Sequence, residues 1–216
     1  MSEAEINNYY EALPQGTPEN LIILLHGLGS NGQDLISLAP YFAREIPSAA
    51  FVSPDAPFPC DMAPPGYLNS YQWFSLQDRD PDQMLSGVKT TAPILQQFIT
   101  DQIERHGVTP DKTALVGFSQ GTMMSLYAAP RYPEMLAGVL GYSGAMIDRP
   151  EGHKFPIHLI HGESDDVVPV DAYHDARASL EEKGFTVSGH TTPGLLHSID
   201  EAGIQSGAKF LKLILT

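Results

Sequence analysis

The chain has 216 residues, 42% of them hydrophobic and 18% charged, with a formal net charge of −14. That length supports one large domain with a real core and leaves too little for two, so a single domain over residues 1–216 is expected. The acidity excludes the basic face that nucleic acid requires and electrostatic docking on anionic lipid, while leaving apolar lipids open as substrates.

The opening "MSEAEINNYY" is polar and acidic and has neither the basic nor the apolar region of a signal peptide. "LIILL" (Leu21–Leu25) reads as the first buried strand. It is far too short to span a bilayer, and no stable membrane insertion is expected. It runs into His26-Gly27-Leu28-Gly29, whose glycines let the backbone come close to a ligand. Leu35, Leu38 and Phe42 then share a helical face, and "AAFVS" (Ala49–Ser53) is a second buried strand. The Pro-rich, aromatic stretch Pro54–Pro81 is long for a plain connection, so a functional or mobile segment is expected there. It holds the single cysteine, Cys60, which rules out an internal disulfide and fits a reducing, cytoplasmic location.

Met84, Val88, Thr91, Leu95, Phe98, Gln102 and Ile103 lie close to one helical face, with a kink expected at Pro93. "TALVGF" (Thr113–Phe118), "LAGVLGYS" (Leu136–Ser143) and "PIHLIH" (Pro156–His161) read as further buried strands, and "FTVSGHT" (Phe185–Thr191) as a more polar one nearer an edge. The last helix carries Ile204, Ala208, Leu211 and Leu215 on one stripe. "SIDE" reads as its capping box, with Ser198 as N-cap and Glu201 three residues on. Strands alternating with helices predict an α/β fold with a mostly parallel sheet and an active site at the C-terminal strand ends.

Gly117-Phe118-Ser119-Gln120-Gly121 fits G-x-S-x-G, follows a predicted strand and opens a predicted helix, as a nucleophile elbow must. The competing reading is a structural Gly-Ser-Gly turn. A nucleophilic serine needs a base, and the base needs an orienting carboxylate. Downstream, "HGESDDVVP" offers Asp165 and Asp166, which spacing alone does not separate. "GLLHSID" offers His197 on a loop entering a helix, whereas His190 lies inside a strand pattern. The backbone amides of Leu28 and Gln120 are the expected oxyanion donors. No H-E-x-x-H or Cys/His cluster is present, so neither a metal nor another cofactor is expected.

These motifs, with "SPDAPFPCDMAPPG" and "QWFSL", resemble the small phospholipase/carboxylesterase group of α/β-hydrolases, which includes acyl-protein thioesterases. The resemblance covers almost the whole chain and is closest to the bacterial carboxylesterase branch. It implies an α/β-hydrolase fold without a large lid domain, Ser119 as nucleophile, Asp165 rather than Asp166 as acid, and His197 as base. The implied activity is hydrolysis of short- to medium-chain carboxylic esters, with acyl-thioesterase and lysophospholipase activities as alternatives on the same triad. A binding protein on this scaffold is the non-enzyme alternative. The implied partner is a small-molecule ester or thioester, and members often form homodimers.

The chain departs from the family pattern at Thr122 and Leu196, where members usually carry glycine, and in the extra length of Tyr67–Tyr71. A leucine at 196 would be strained if that position needed a positive φ. Met62, Trp73 and Phe74 in the Pro-rich segment are the expected acyl-binding wall.

Overall fold

The computed structural model describes residues 4–216. Seven strands form one sheet in the order β1-β3-β2-β6-β7-β8-β9. In chain order they are β1 (Tyr9–Ala12), β2 (Asn20–Leu25), β3 (Ala49–Pro54), β6 (Thr113–Phe118), β7 (Gly138–Tyr142), β8 (Pro156–Gly162) and β9 (Thr186–Thr192). Only β1 is antiparallel, pairing Tyr9 with Pro54 and Ala12 with Phe51. The two-residue strands β4 (Phe58–Pro59) and β5 (Tyr71–Gln72) pair separately inside the Pro-rich segment.

The central strands are continuous apolar runs because both faces of the sheet are covered. Successive side chains alternate between two cores. Leu21, Ile23 and Leu25 pack with α3 (Pro81–His106), α4 (Gln120–Ala128) and α5 (Asp171–Glu182). Ile22 and Leu24 pack with α1 (Gly32–Ile36), α2 (Ala39–Phe42) and α6 (Glu201–Leu215). Each fully buried leucine or isoleucine contributes about 1.5–3 kcal/mol relative to exposure.

The predicted buried strands are all present, and "FTVSGHT" becomes β9, the sheet edge. Helix α3 runs unbroken through Pro93, which sits on the exposed face. It begins at Asp80, whose carboxylate accepts from the amides of Asp82 and Gln83, and it ends at Gly107 in the left-handed conformation (φ 65°). The expected capping box on α6 is corrected. The N-cap is Asp200, whose Oδ1 accepts from the Gly203 amide at 2.7 Å, while Ser198 lies in a turn closed by its amide on the Leu196 carbonyl. Asp200 offers a carboxylate to the positive helix end, where Ser198 offers only a hydroxyl. The α/β alternation leaves the loops after β2, β6, β8 and β9 together at one end of the sheet.

Candidate active site

Ser119 stands between β6 and α4 with φ 54° and ψ −116°. A non-glycine residue there is strained by roughly 1–3 kcal/mol, and the surroundings enforce it. A Cβ at Gly117 would overlap the Thr122 amide, and one at Gly121 would overlap the Leu25 carbonyl, so helix α4 can pack this close to the sheet only through glycines. The Ser119 amide donates to the Tyr142 carbonyl at 2.9 Å and fixes the turn. In the adjacent register position Ser143 also has positive φ (47°), and its buried Oγ has no partner among the described residues.

The structure brings Ser119, His197 and Asp165 into one hydrogen-bonded line. Ser119 Oγ is 3.0 Å from His197 Nε2, and His197 Nδ1 is 2.7 Å from Asp165 Oδ2. The carboxylate accepts at Nδ1, so the proton sits there and the Nε2 lone pair faces the serine. Asp165 Oδ1 accepts from the amides of Val167 and Val168 at 2.9 and 2.8 Å. Burial pushes the Asp165 carboxyl up, but the bonds from His197 and these two amides outweigh it and hold the group below its ordinary value. Asp166 is exposed.

Two loops must meet for this line to form. The amides of Glu163 and Ser164 donate to the carbonyls of Thr192 and Leu195, tying the loop after β8 to the loop after β9. Gly162 makes room, since a Cβ there would overlap the Leu195 carbonyl. The His197 ring packs on Phe118, centroids 4.9 Å apart. Leu196 does not have positive φ, so leucine sits there without the strain that a glycine-specific position would impose.

The Leu28 amide is oriented by its neighbours. The Gly27 carbonyl accepts from the Ser30 amide and from His26 Nδ1, at 3.2 and 2.7 Å. The Leu28 N–H, on the opposite edge of the same planar peptide, is turned away from that carbonyl. Neither Leu28 N–H nor Gln120 N–H finds an acceptor among the described residues. The ring of His26 accepts from the Ala56 amide at Nε2, and burial pushes its pKa down against the Gly27 carbonyl and the charges of Asp55 and Asp34. His26 is therefore a neutral strut.

The structure corrects the expected acyl-binding wall at Trp73. Trp73 is fully buried, with its indole N–H on the His26 carbonyl at 2.9 Å, so it supports the loop from beneath instead of facing a substrate. Phe74 is 3% exposed and packs on Gly87 of α3. Met62 is half exposed on the 60–70 loop. His161, which the sequence places at the end of its strand as a structural residue, donates from Nε2 to the Val168 carbonyl at 2.8 Å and lies 3.3 Å from Asp165 Oδ2. Among the described residues no group of His, Cys, Asp or Glu converges as a metal site would need, and no helix is long and apolar enough to cross a membrane.

A mostly parallel sheet with a strained serine after one strand, an acid after a later one and a histidine after the last defines an α/β-hydrolase. The chain belongs to the phospholipase/carboxylesterase family, whose profile matches residues 11–215. It is 29% identical to esterase YpfH of Escherichia coli K12, over 92% of this chain and 84% of that one. It is 30% identical to acyl-protein thioesterase 1 of Kluyveromyces lactis, over 89% and 91% of the two chains. Among solved structures, esterase PE8 superposes with a TM-score of 0.89 at 36% identity, covering 95% of this chain and 98% of that one. Like its relatives, the chain is a serine hydrolase.

Proposed function

We propose that the chain is a carboxylesterase that cleaves short- to medium-chain carboxylic esters through an acyl-enzyme on Ser119. The observation carrying this reading is the Ser119–His197–Asp165 line, with contacts of 3.0 and 2.7 Å. His197 Nε2 takes the serine proton as Oγ attacks the acyl carbon. Asp165 holds the tautomer and stabilises the imidazolium. The amides of Leu28 and Gln120, the latter at the positive end of α4, receive the developing oxyanion. His197 then protonates the leaving alcohol, and water repeats the sequence on the acyl-enzyme. Kinship with esterase YpfH and esterase PE8 supports an ester as substrate. The single cysteine, Cys60, supports a reducing, cytoplasmic setting.

The test is hydrolysis of p-nitrophenyl acetate, butyrate and octanoate by wild type and Ser119→Ala. A loss of about 10³-fold or more in kcat, with fluorophosphonate labelling confined to Ser119, is expected. Equal rates from the two proteins would end the proposal. A thioesterase reading is favoured by the resemblance to acyl-protein thioesterase 1. Rates on matched oxygen esters and thioesters separate the two.

A further inference from the structure

Helix α4 opens on a glutamine whose side chain does not point to solvent. Gln120 is fully buried, and its amide group makes two bonds to the backbone of a distant segment. Oε1 accepts from the Trp73 amide at 2.9 Å, and Nε2 donates to the Phe74 carbonyl at 2.7 Å. The side chain thus pairs with residues 73–74 as an adjacent strand would, although no strand lies there.

The same segment is bonded to the loop after β2. The Gly29 amide donates to the Tyr71 carbonyl at 2.8 Å, and the Tyr71 amide to the Ser30 carbonyl at 2.9 Å. The Trp73 indole N–H holds the His26 carbonyl. From the far side, Thr91 Oγ1 of α3 donates to the Trp73 carbonyl at 2.7 Å. Residues 71–74 therefore form a strap with one edge on the Leu28 loop and the other on the Gln120 side chain. The two proposed oxyanion donors sit on separate elements, and the strap joins them.

We infer that the Gln120 side chain is a positioning residue for the oxyanion site: through the Tyr71–Phe74 strap it fixes the Leu28 amide relative to its own backbone N–H. This rests on the proposed role of those two amides. Two donors on different loops stabilise an oxyanion only if their separation is set before the charge appears, because reorganising them during reaction costs part of the gain. A buried amide with one donor and one acceptor can set it. A methionine of similar volume cannot, and an ionised glutamate supplies an acceptor where the Phe74 carbonyl needs a donor.

Glutamate gives the sharper test. Burial raises its pKa, and once protonated it again offers one O–H donor and one acceptor. Gln120→Glu should lose about 10²-fold in kcat at pH 8.5 with KM within about threefold. Its kcat relative to wild type should recover about tenfold by pH 5.5. The other ionisable rings near this position, His197 and His26, are present in every variant, and Gln120→Met, which carries no ionisable group at 120, is the control for them. Gln120→Met should lose about tenfold or more with no pH dependence in its ratio.

Trp73 is the only tryptophan, so its fluorescence reports the strap without reference to activity. Gln120→Met should shift its emission to the red and raise its quenching by acrylamide. A flat pH ratio for Gln120→Glu, a kcat within threefold of wild type for Gln120→Met, or an unchanged emission in Gln120→Met would each overturn the inference. Should Gln120→Glu not fold, the kcat and the emission of Gln120→Met decide by the same criteria. If wild type shows no Ser119-dependent hydrolysis, the functional reading has failed, and the emission decides alone whether Gln120 holds the strap.

Discussion

The amide of Ser119 and the hydroxyl of Thr122 converge on one acceptor, the Tyr142 carbonyl, at 2.9 and 2.8 Å. The threonine side chain fills the space that Gly141 and Gly144 leave, since a Cβ on either glycine would run into it. The residue that departs from the family pattern thus braces the strained turn. Thr122→Val keeps the shape and loses the hydroxyl bond, so a loss of about 1 kcal/mol is expected in urea unfolding. Thr122→Gly adds a void and a glycine in a helix, for about 2–4 kcal/mol. A glycine variant as stable as wild type would show that the elbow holds without this brace.

Gly121 and Gly117 are among the glycines at which a methyl group would strike backbone. At Gly121 it meets the carbonyls of Leu25 and His26, and at Gly117 the backbone of Gly121 and Thr122, none of which can swing aside. Gly121→Ala is expected to destabilise by more than about 4 kcal/mol or to prevent folding. Gly16 has nothing within 4 Å of the same position, so Gly16→Ala should stay within about 0.5 kcal/mol of wild type. Soluble yield and melting temperature of the pair give the comparison, and equal melting temperatures would contradict it.

Asp165 and Asp166 are adjacent in sequence and opposite in environment. The Asp165 side chain is wholly inaccessible and bonded at both oxygens, whereas Asp166 is exposed. Asp165→Asn can still accept from Val167 and Val168 through Oδ1, but its NH₂ would face His197 Nδ1. That forces the proton onto Nε2, where it can no longer receive one from Ser119. A loss of about 10⁴-fold in kcat with little change in KM is expected, and less than about twofold for Asp166→Asn. The reverse ranking in steady-state kinetics would move the acid to Asp166.

Much of this architecture was legible because strand burial and the elbow both write themselves into short sequence windows. The run Leu21–Leu25 is apolar at every position because helices cover both sides, and Gly117 and Gly121 flank Ser119 because backbone lies within contact distance. What escaped depends on contacts between distant segments. Strand β1 carries only Tyr9–Ala12, too short and too polar to announce itself, and it exists because β3 offers an edge. Trp73 looked like a substrate contact because aromatic residues on a long loop often are. Its partners, His26 and Thr91, lie 47 and 18 residues away. The choice of Asp165 over Asp166 came from resemblance, and the physical reason is the pair of amides at 167 and 168, which no spacing encodes.

His158 places a titratable ring where burial makes a charge costly. It lies on β8, stacks on Phe210 with centroids 5.1 Å apart, and has Ser188 and Ser206 hydroxyls at 2.7 and 2.9 Å from its two nitrogens. Burial, with a smaller contribution from His190, pushes its pKa down to about 4. The folded value lies below the unfolded value of 6.5, so the unfolded chain binds the proton first. The neutral ring therefore contributes its full stability above about pH 6.5, and that contribution is lost as pH falls toward 4. Allowing for solvent screening at a ring that is not wholly enclosed, the loss is on the order of 2 kcal/mol. Asp165 is depressed from a much lower starting point, 3.8, so its contribution disappears only below about pH 4 and the two windows do not overlap. Melting temperature should thus fall between pH 7 and pH 5 before any effect on the carboxylates. His158→Gln, which can bond both serines and does not titrate, should make that fall shallower, the remainder belonging to His26 and His106, whose pKa values burial also lowers from 6.5. An equally steep decline in the variant would assign the acid sensitivity to another group.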